Sequence, residues 1–259
     1  MTTIEWVRNA DKSQGKTWNP VTGCNEISEG CRYCYAKRMA RRLAGRCGYP
    51  NYPHHFDVTL HHDRLDVPLR RKKPTTYFVV SMGDLFHENV PPWFVCEVWQ
   101  VMRECPRHLF QILTKRPKRM LHLIKTYIAD HEFGIEPLPN VWLGVSCENQ
   151  TTADERIPLL LQTPAAVRFV SAEPLLGPID LRPYLEGRER YNNEVLDWTI
   201  AGAESGPGAR PMDEDWVRLL RNQCQITKSA FFYKQNVVDG KKISCPKLDG
   251  NRYNEMPEV

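Results

Sequence analysis

Three cysteines stand in the stretch TWNPVTGCNEISEGCRYCYA, residues 17–36: Cys24, Cys31 and Cys34, spaced C-x6-C-x2-C. Thiolates this close together suit a soft metal. A structural zinc takes four protein ligands and leaves no open position. A four-iron cluster held by only three cysteines leaves one iron open to an outside ligand. Pro20, Gly23 and Gly30 shape the loop, and a helical pattern runs from Tyr35 to a stop at Gly45. The cysteines therefore precede a helix N-terminus, whose partial positive charge favours thiolate. Tyr33, between the last two cysteines, can shield a cluster's face. Two plainer readings compete. The cysteines could be small buried hydrophobes, or ligands of a zinc completed by Cys47, His54, His55, His61 or His62. The spacing and the glycine-rich setting favour the iron–sulfur reading.

Such a loop needs a scaffold, and the rest of the chain supplies one. Continuous β-rich runs at 76–81, 108–114, 140–147, 167–173, 197–204 and 230–235 read as six buried strands. Helical patterns separate them. One begins at Pro91–Pro92, one at Pro117 with the body 118–131, one after a Thr151 or Thr152 cap, and one at Met212–Asp213. Residues 46–74 read as irregular, with a short strand and a short helix. Alternating strand and helix predicts parallel strands joined by crossover helices. Continuous apolar strands are those covered on both faces. Each strand ends, on its C-terminal side, in small and polar residues: Ser81, Gly83 and Asp84; Thr114 and Lys115; Ser146, Glu148 and Asn149; Ser171 and Glu173; Gly202, Glu204 and Ser205; Lys234 and Gln235. A barrel makes such ends converge, whereas an open sheet joins only those near its switch point. We therefore expect an α/β fold, an incomplete (β/α) barrel of about six parallel strands over residues 1–235. Residues 236–259 are expected to form a C-terminal extension, with turns at its two Asp-Gly pairs and a short hairpin.

Composition narrows the class. The chain has 259 residues, nine cysteines and a net charge of +4. An odd cysteine count in a chain of this size argues against a secreted disulfide framework. No apolar run approaches the roughly 20 residues that span a bilayer. The N-terminus has no apolar signal core, so a cytoplasmic protein without membrane contact is expected.

The motif WNPVTGCxxxSxGCxxCYA, a three-cysteine loop with an aromatic before its last cysteine and a helix after it, resembles the cluster loop of radical S-adenosylmethionine (SAM) enzymes. The usual first gap there is three residues; here it is six. The closer resemblance is to a phage- and prophage-associated radical SAM family of unassigned function, and it continues at SMGDLFH, LTKRP, WLGVSCEN, SAEPLLG, AGAESG and FYKQ. It implies a partial barrel with the loop after the first strand, and a [4Fe–4S] cluster on Cys24, Cys31 and Cys34. SAM would bind the open iron, with an electron arriving from a flavodoxin- or ferredoxin-like donor. SMGD, with Ser81, Gly83 and Asp84, occupies the place of the motif that binds the SAM amino group. Ser146, Glu148, Asn149 and Glu173 are candidates for the ribose hydroxyls.

On the substrate side the candidates are Lys115 and Glu204 as catalytic residues, with Arg116, Ser205, Arg210, Lys234 and Gln235 beside them. Basic runs at 37–42 (KRMARR) and 115–119 (KRPKR) belong near the mouth of a barrel, and RRKK at 70–73 at its opposite face. They favour a nucleic acid or nucleotide substrate over a peptide or a small metabolite. Two rival functions remain: a zinc-bearing nucleic-acid-binding protein without catalysis, and a metal-dependent hydrolase. The first leaves the polar strand ends unexplained, and the second needs histidines at strand ends, where only His87 lies near one.

Overall fold

The computed structural model describes residues 4–128, 136–186 and 194–257. The strands and helices, in chain order, are β1 (Lys16–Trp18), β2 (Val21–Thr22), α1 (Tyr35–Leu43), β3 (Thr59–Leu60), α2 (Val67–Arg70), β4 (Thr76–Val79), α3 (Pro92–Arg103), β5 (Leu109–Thr114) and α4 (Pro117–Leu123). They continue with β6 (Val141–Ser146), α5 (Gln150–Leu161), β7 (Val167–Ala172), α6 (Arg182–Leu185), β8 (Trp198–Gly202), α7 (Glu214–Thr227), β9 (Ala230–Val238), β10 (Lys241–Ser244), β11 (Lys247–Leu248) and β12 (Asn251–Arg252). The main sheet has eight strands in the order β1-β4-β5-β6-β7-β8-β9-β10. Strands follow one another in the sheet as they do in sequence, with no reversal. That is the winding of an incomplete (β/α) barrel, not of a doubly wound sheet with a switch point. The six expected strands are β4 to β9, and the α/β class is as expected.

Two compact units divide the chain. The first comprises residues 1–142 and 163–166, the second 143–162 and 167–259. In the first, β1 pairs in parallel with β4 (Trp18 opposite Val79) and β4 with β5 (Val79 opposite Ile112). The resemblance implied a first strand ahead of the cysteine loop, and β1 occupies that place, but its residues carry no strand pattern of their own. Its three residues are too few to show a period, and only pairing with β4 reveals it. Helix α3 starts with Pro92 in its first turn, where a missing N–H costs nothing, and buries Phe94, Val98, Trp99 and Met102. Pro117 opens α4 in the same way, and a π-helical turn continues it to Ile128. The expected end of that helix, residues 129–131, lies outside the described residues.

In the second unit β7, β8 and β9 are parallel. All six residues of β7 and all five of β8 are buried, which is why these runs are mostly apolar, with Arg168, Ser171 and Thr199 as their buried polar residues. Helix α5 is capped differently from expectation. Asn149, not Thr151 or Thr152, is its N-cap: the Asn149 side chain accepts the Thr152 N–H at 3.1 Å, and the Thr152 hydroxyl receives the Asn149 N–H at 3.2 Å. Thr152 is thus the third residue of a reciprocal capping box. Both Asp-Gly pairs of the C-terminal segment turn hairpins. Asp239 and Gly240 join β9 to β10, and Asp249 and Gly250 join β11 to β12, with positive φ at all four residues, as two-residue hairpin turns require. Among the described residues no helix is long and apolar enough to cross a membrane.

Candidate metal and cofactor site

The cysteine loop follows β1 and β2 and is pinned by two glycines. Gly23 has φ +86°, and a Cβ there would lie 2.1 Å from the Asp57 carbonyl oxygen. Its N–H donates to Met82 O at 2.9 Å, and the next N–H, of Cys24, donates to Phe56 O at 3.1 Å. Gly83 bridges back to Gly23, where a Cβ on Gly83 would meet the Gly23 oxygen at 2.7 Å. The SMGD segment is thereby fastened to the loop by backbone contact that only glycine permits. Further along, Cys31 closes a short 3₁₀ turn, and Cys34 is the N-cap of α1. The inner side of α1, Ala36 and Ala40, packs with Tyr49 and Met82, and Cys34 joins that cluster.

Cys24, Cys31 and Cys34 line one cavity of about 550 Å³, together with Lys37, His55 and Asp57. All three are free thiols. Among the described residues, no three His, Cys, Asp or Glu side chains gather into a group that would hold a metal ion. A cubane cluster makes a different demand from a single ion. Each cysteine binds its own iron, so the cysteines line a space instead of converging on a point. Three soft thiols around one cavity fit a cluster of that kind.

Basic side chains attend the sulfur atoms. Arg116 is buried, and its Nη1 donates to Cys24 Sγ at 3.3 Å and to Asp84 Oδ2 at 3.2 Å. Its Nε donates to both Glu88 oxygens, at 3.0 and 3.2 Å, and its Nη2 to Asn25 Oδ1. Lys115 Nζ donates to Ser28 Oγ at 3.3 Å, and that hydroxyl lies 3.8 Å from Cys31 Sγ. Lys37 pairs with Glu26 at 2.8 Å. Cys24 and Cys31 are thereby set apart from each other. Burial, helped by the Asp84 charge, pushes the Cys24 thiol up to about 11 against the pull of Arg116. Burial also acts to raise Cys31, but Lys115 and hydrogen bonds from Ile27 and Ser28 outweigh it and hold that thiol below its ordinary value.

The family described as "Protein of unknown function (DUF5131)" matches residues 1–257. The chain belongs to DUF5131. No curated protein matches it. A solved structure of spore photoproduct lyase complexed with dinucleoside spore photoproduct is similar to the DUF5131 chain, with a TM-score of 0.44 and 12% sequence identity over 85% of this chain. The match covers 64% of that protein, so the chain spans less than two thirds of its length.

In the DUF5131 chain, the first unit brings Ser81, Gly83, Asp84 and Lys115 to the cysteine loop. Ser81 Oγ donates to Asn19 Oδ1 at 3.1 Å, and its carbonyl accepts from the Tyr35 hydroxyl. Asp84, expected to meet an amino group, is occupied by its own chain: it accepts from Thr114 Oγ1 at 2.8 Å, Lys115 N at 3.2 Å, Phe86 N at 3.0 Å and Arg116. Arg116, expected on the substrate side, is closed in as described. Tyr33 is half-buried and carries the Arg32 guanidinium 5.9 Å above its ring.

The remaining candidates lie in the second unit. Arg156 Nη1 donates to Ser146 O at 2.7 Å and to Glu148 Oε2 at 3.1 Å, and Glu148 is fully buried. Asn149 spends its side chain on the α5 cap. Glu173 receives the Ser171 hydroxyl at 3.0 Å and pairs with Lys234 Nζ at 2.6 Å. Glu204 is clasped by Arg210 through N, Nε and Nη2, at 3.0, 2.9 and 2.6 Å. Gln235 Nε2 donates to Ala203 O at 2.6 Å.

Asn25 and Glu88 carry no sequence motif that marks them, and His87 stands out in sequence only as a histidine near a strand end. Asn25 Oδ1 takes Arg116 Nη2 and lies 2.9 Å from His87 Nε2. Its position directly after Cys24 was the only available signal.

Proposed function

We propose that this DUF5131 protein is a radical SAM enzyme. The observation that carries the reading is the set of three free cysteine thiols around a single cavity, at the start of a helix and beside the SMGD segment. Cys24, Cys31 and Cys34 would each hold one iron of a [4Fe–4S] cluster, leaving the fourth iron to SAM. When bound, the cluster supplies one electron to the SAM sulfonium, so that the C5′–S bond breaks to give methionine and a 5′-deoxyadenosyl radical. The chain's own part is to hold and shield. Gly23 and Gly83 bring two backbone segments close enough to fix the loop. Asp84 works from behind, orienting Lys115 and Arg116, and Lys115 acts on Cys31 through Ser28. A flavodoxin- or ferredoxin-like protein would deliver the electron.

The substrate reading we favour is a nucleic acid or nucleotide, and helix α1 supports it. Lys37, Arg41 and Arg42 are exposed on the helix that starts at Cys34. In the other basic run near the cysteines, Lys115 and Arg116 turn inward and Arg119 donates to Val90 O at 2.7 Å, which leaves Lys118 as its one exposed cation. The polyanion contact is therefore assigned to α1.

The test is to incubate the anaerobically reconstituted protein with SAM and dithionite and to assay products. The expected result is equal amounts of methionine and 5′-deoxyadenosine, with neither from Cys31→Ala. Zinc-loaded protein that forms neither product would instead support the nucleic-acid-binding alternative.

A further inference from the structure

Arg116 makes contacts that an ion pair alone does not require. Its two carboxylate partners differ: Asp84 is buried, while the Glu88 side chain is 60% exposed. Asp84 also accepts from Thr114 Oγ1, Lys115 N and Phe86 N, so its hydrogen bonds do not rest on the guanidinium alone. The remaining edge of the guanidinium faces the cysteine loop, with Nη1 at 3.3 Å from Cys24 Sγ and Nη2 on Asn25 Oδ1. Asn25 is also held from the other side. His87 Nδ1 accepts the Asn89 N–H at 3.0 Å, so the proton of the neutral ring sits on Nε2, which donates to Asn25 Oδ1 at 2.9 Å. Two consecutive loop residues, Cys24 and Asn25, are thus anchored on one planar, permanently charged group. This also accounts for part of the long first gap, because its first residue, Asn25, serves as the anchor.

Resting on the cluster reading above, we propose that Arg116 is a positioning residue for the cluster: it holds the Cys24 sulfur by an N–H···S bond and makes the bound cluster easier to reduce. Reduction adds one negative charge to the cluster. A buried cation and a hydrogen bond to a ligand sulfur both stabilise that charge, and hydrogen bonds to the sulfurs are among the recognised determinants of cluster potential. Removing them disfavours the reduced form.

The experiment is a redox titration, followed by electron paramagnetic resonance, of the reconstituted full chain and of Arg116→Gln and Arg116→Lys. In Arg116→Gln the ratio of reduced to oxidised cluster at a fixed potential is expected to fall at least tenfold, a 59 mV drop in midpoint for a one-electron couple. Arg116→Lys, which keeps the charge and loses the fork, should fall less. An Arg116→Gln protein with full iron and sulfide and an unchanged midpoint overturns the proposal. A second measurement needs no variant to fold. Wild-type protein labelled with ¹⁵N-arginine should show an arginine nitrogen coupled to the reduced cluster by pulsed resonance, and absence of that coupling also overturns it. A wild-type chain that takes up zinc and no cluster overturns the functional reading itself, and this inference with it; that outcome is recognised by a colourless protein before any titration.

Discussion

Cys24, Cys31 and Cys34 face a shared cavity as free thiols, whereas Glu148, Glu173 and Glu204 each hold a cation of their own: Arg156, Lys234 and Arg210. In the first region Arg116 pairs with Asp84 and Glu88 and still reaches the Cys24 sulfur, which has valence to give. In the second, carboxylate and cation close on each other. A carboxylate at the end of a strand reads the same in sequence whether it awaits a ligand or is already paired. Burial separates the two cases, because a buried charge without a partner costs several kcal/mol. The pairs of the second unit are therefore first of all supports for their own strand ends, and the open chemistry of the described residues concentrates at the cysteines.

The sharpest way to break this contrast is Arg156→Ala. It leaves the fully buried Glu148 without its counter-charge. The expected cost is about 3–5 kcal/mol in urea denaturation, and pairing it with Glu148→Leu should recover most of that loss. Wild-type stability in Arg156→Ala, together with lost SAM cleavage, would instead make Glu148 a ligand-facing group and erase the difference between the regions.

A smaller effect is expected next to the cysteine loop. His61 Nε2 lies 2.8 Å from Thr22 Oγ1, one residue before Gly23. Burial lowers its pKa from 6.5 to about 4, with Arg64 adding to the shift and Asp63 opposing it. A depressed folded pKa means that the unfolded chain takes the proton first. Stability from this group is complete above pH 6.5 and is lost as pH falls from 6.5 toward 4. The loss amounts to about 3 kcal/mol at most. Urea midpoints at pH 7 and pH 5 should therefore lie closer together in His61→Phe than in the wild type; equal spacing would show that the His61 environment does not depress its pKa.

The sequence revealed the elements that carry long buried runs. β6, β7 and β8 are buried along their whole length, and Arg168, Ser171 and Thr199 are too few to hide the strand pattern. The loop-before-helix arrangement was equally legible, because Cys34 does start α1. Three features were not. β1 exists through its pairing with β4. The α5 cap was assigned to threonine because Thr151 and Thr152 stand directly before the helical pattern, although Asn149 reaches Thr152 N. The partners of Arg116 come from Cys24, Asn25, Asp84 and Glu88, so its inward turn depends on tertiary contacts that no local pattern encodes. Ser146 and Gly202 do end β6 and β8, whereas β9 runs on to Val238, so Lys234 and Gln235, expected at its end, lie inside it. The pairing of Glu148, Glu173 and Glu204 with Arg156, Lys234 and Arg210 was visible only once the chain had folded.

The central claim is that the three cysteines hold a cluster. Its most direct test is iron and acid-labile sulfide content after anaerobic reconstitution, read with the resonance spectrum of the dithionite-reduced protein and compared with Cys31→Ala. The account predicts a brown wild-type protein with roughly four irons and four sulfides per chain, a reduced-cluster signal, and loss of both in the variant. Stoichiometric zinc in a colourless protein, with no such signal, would contradict it.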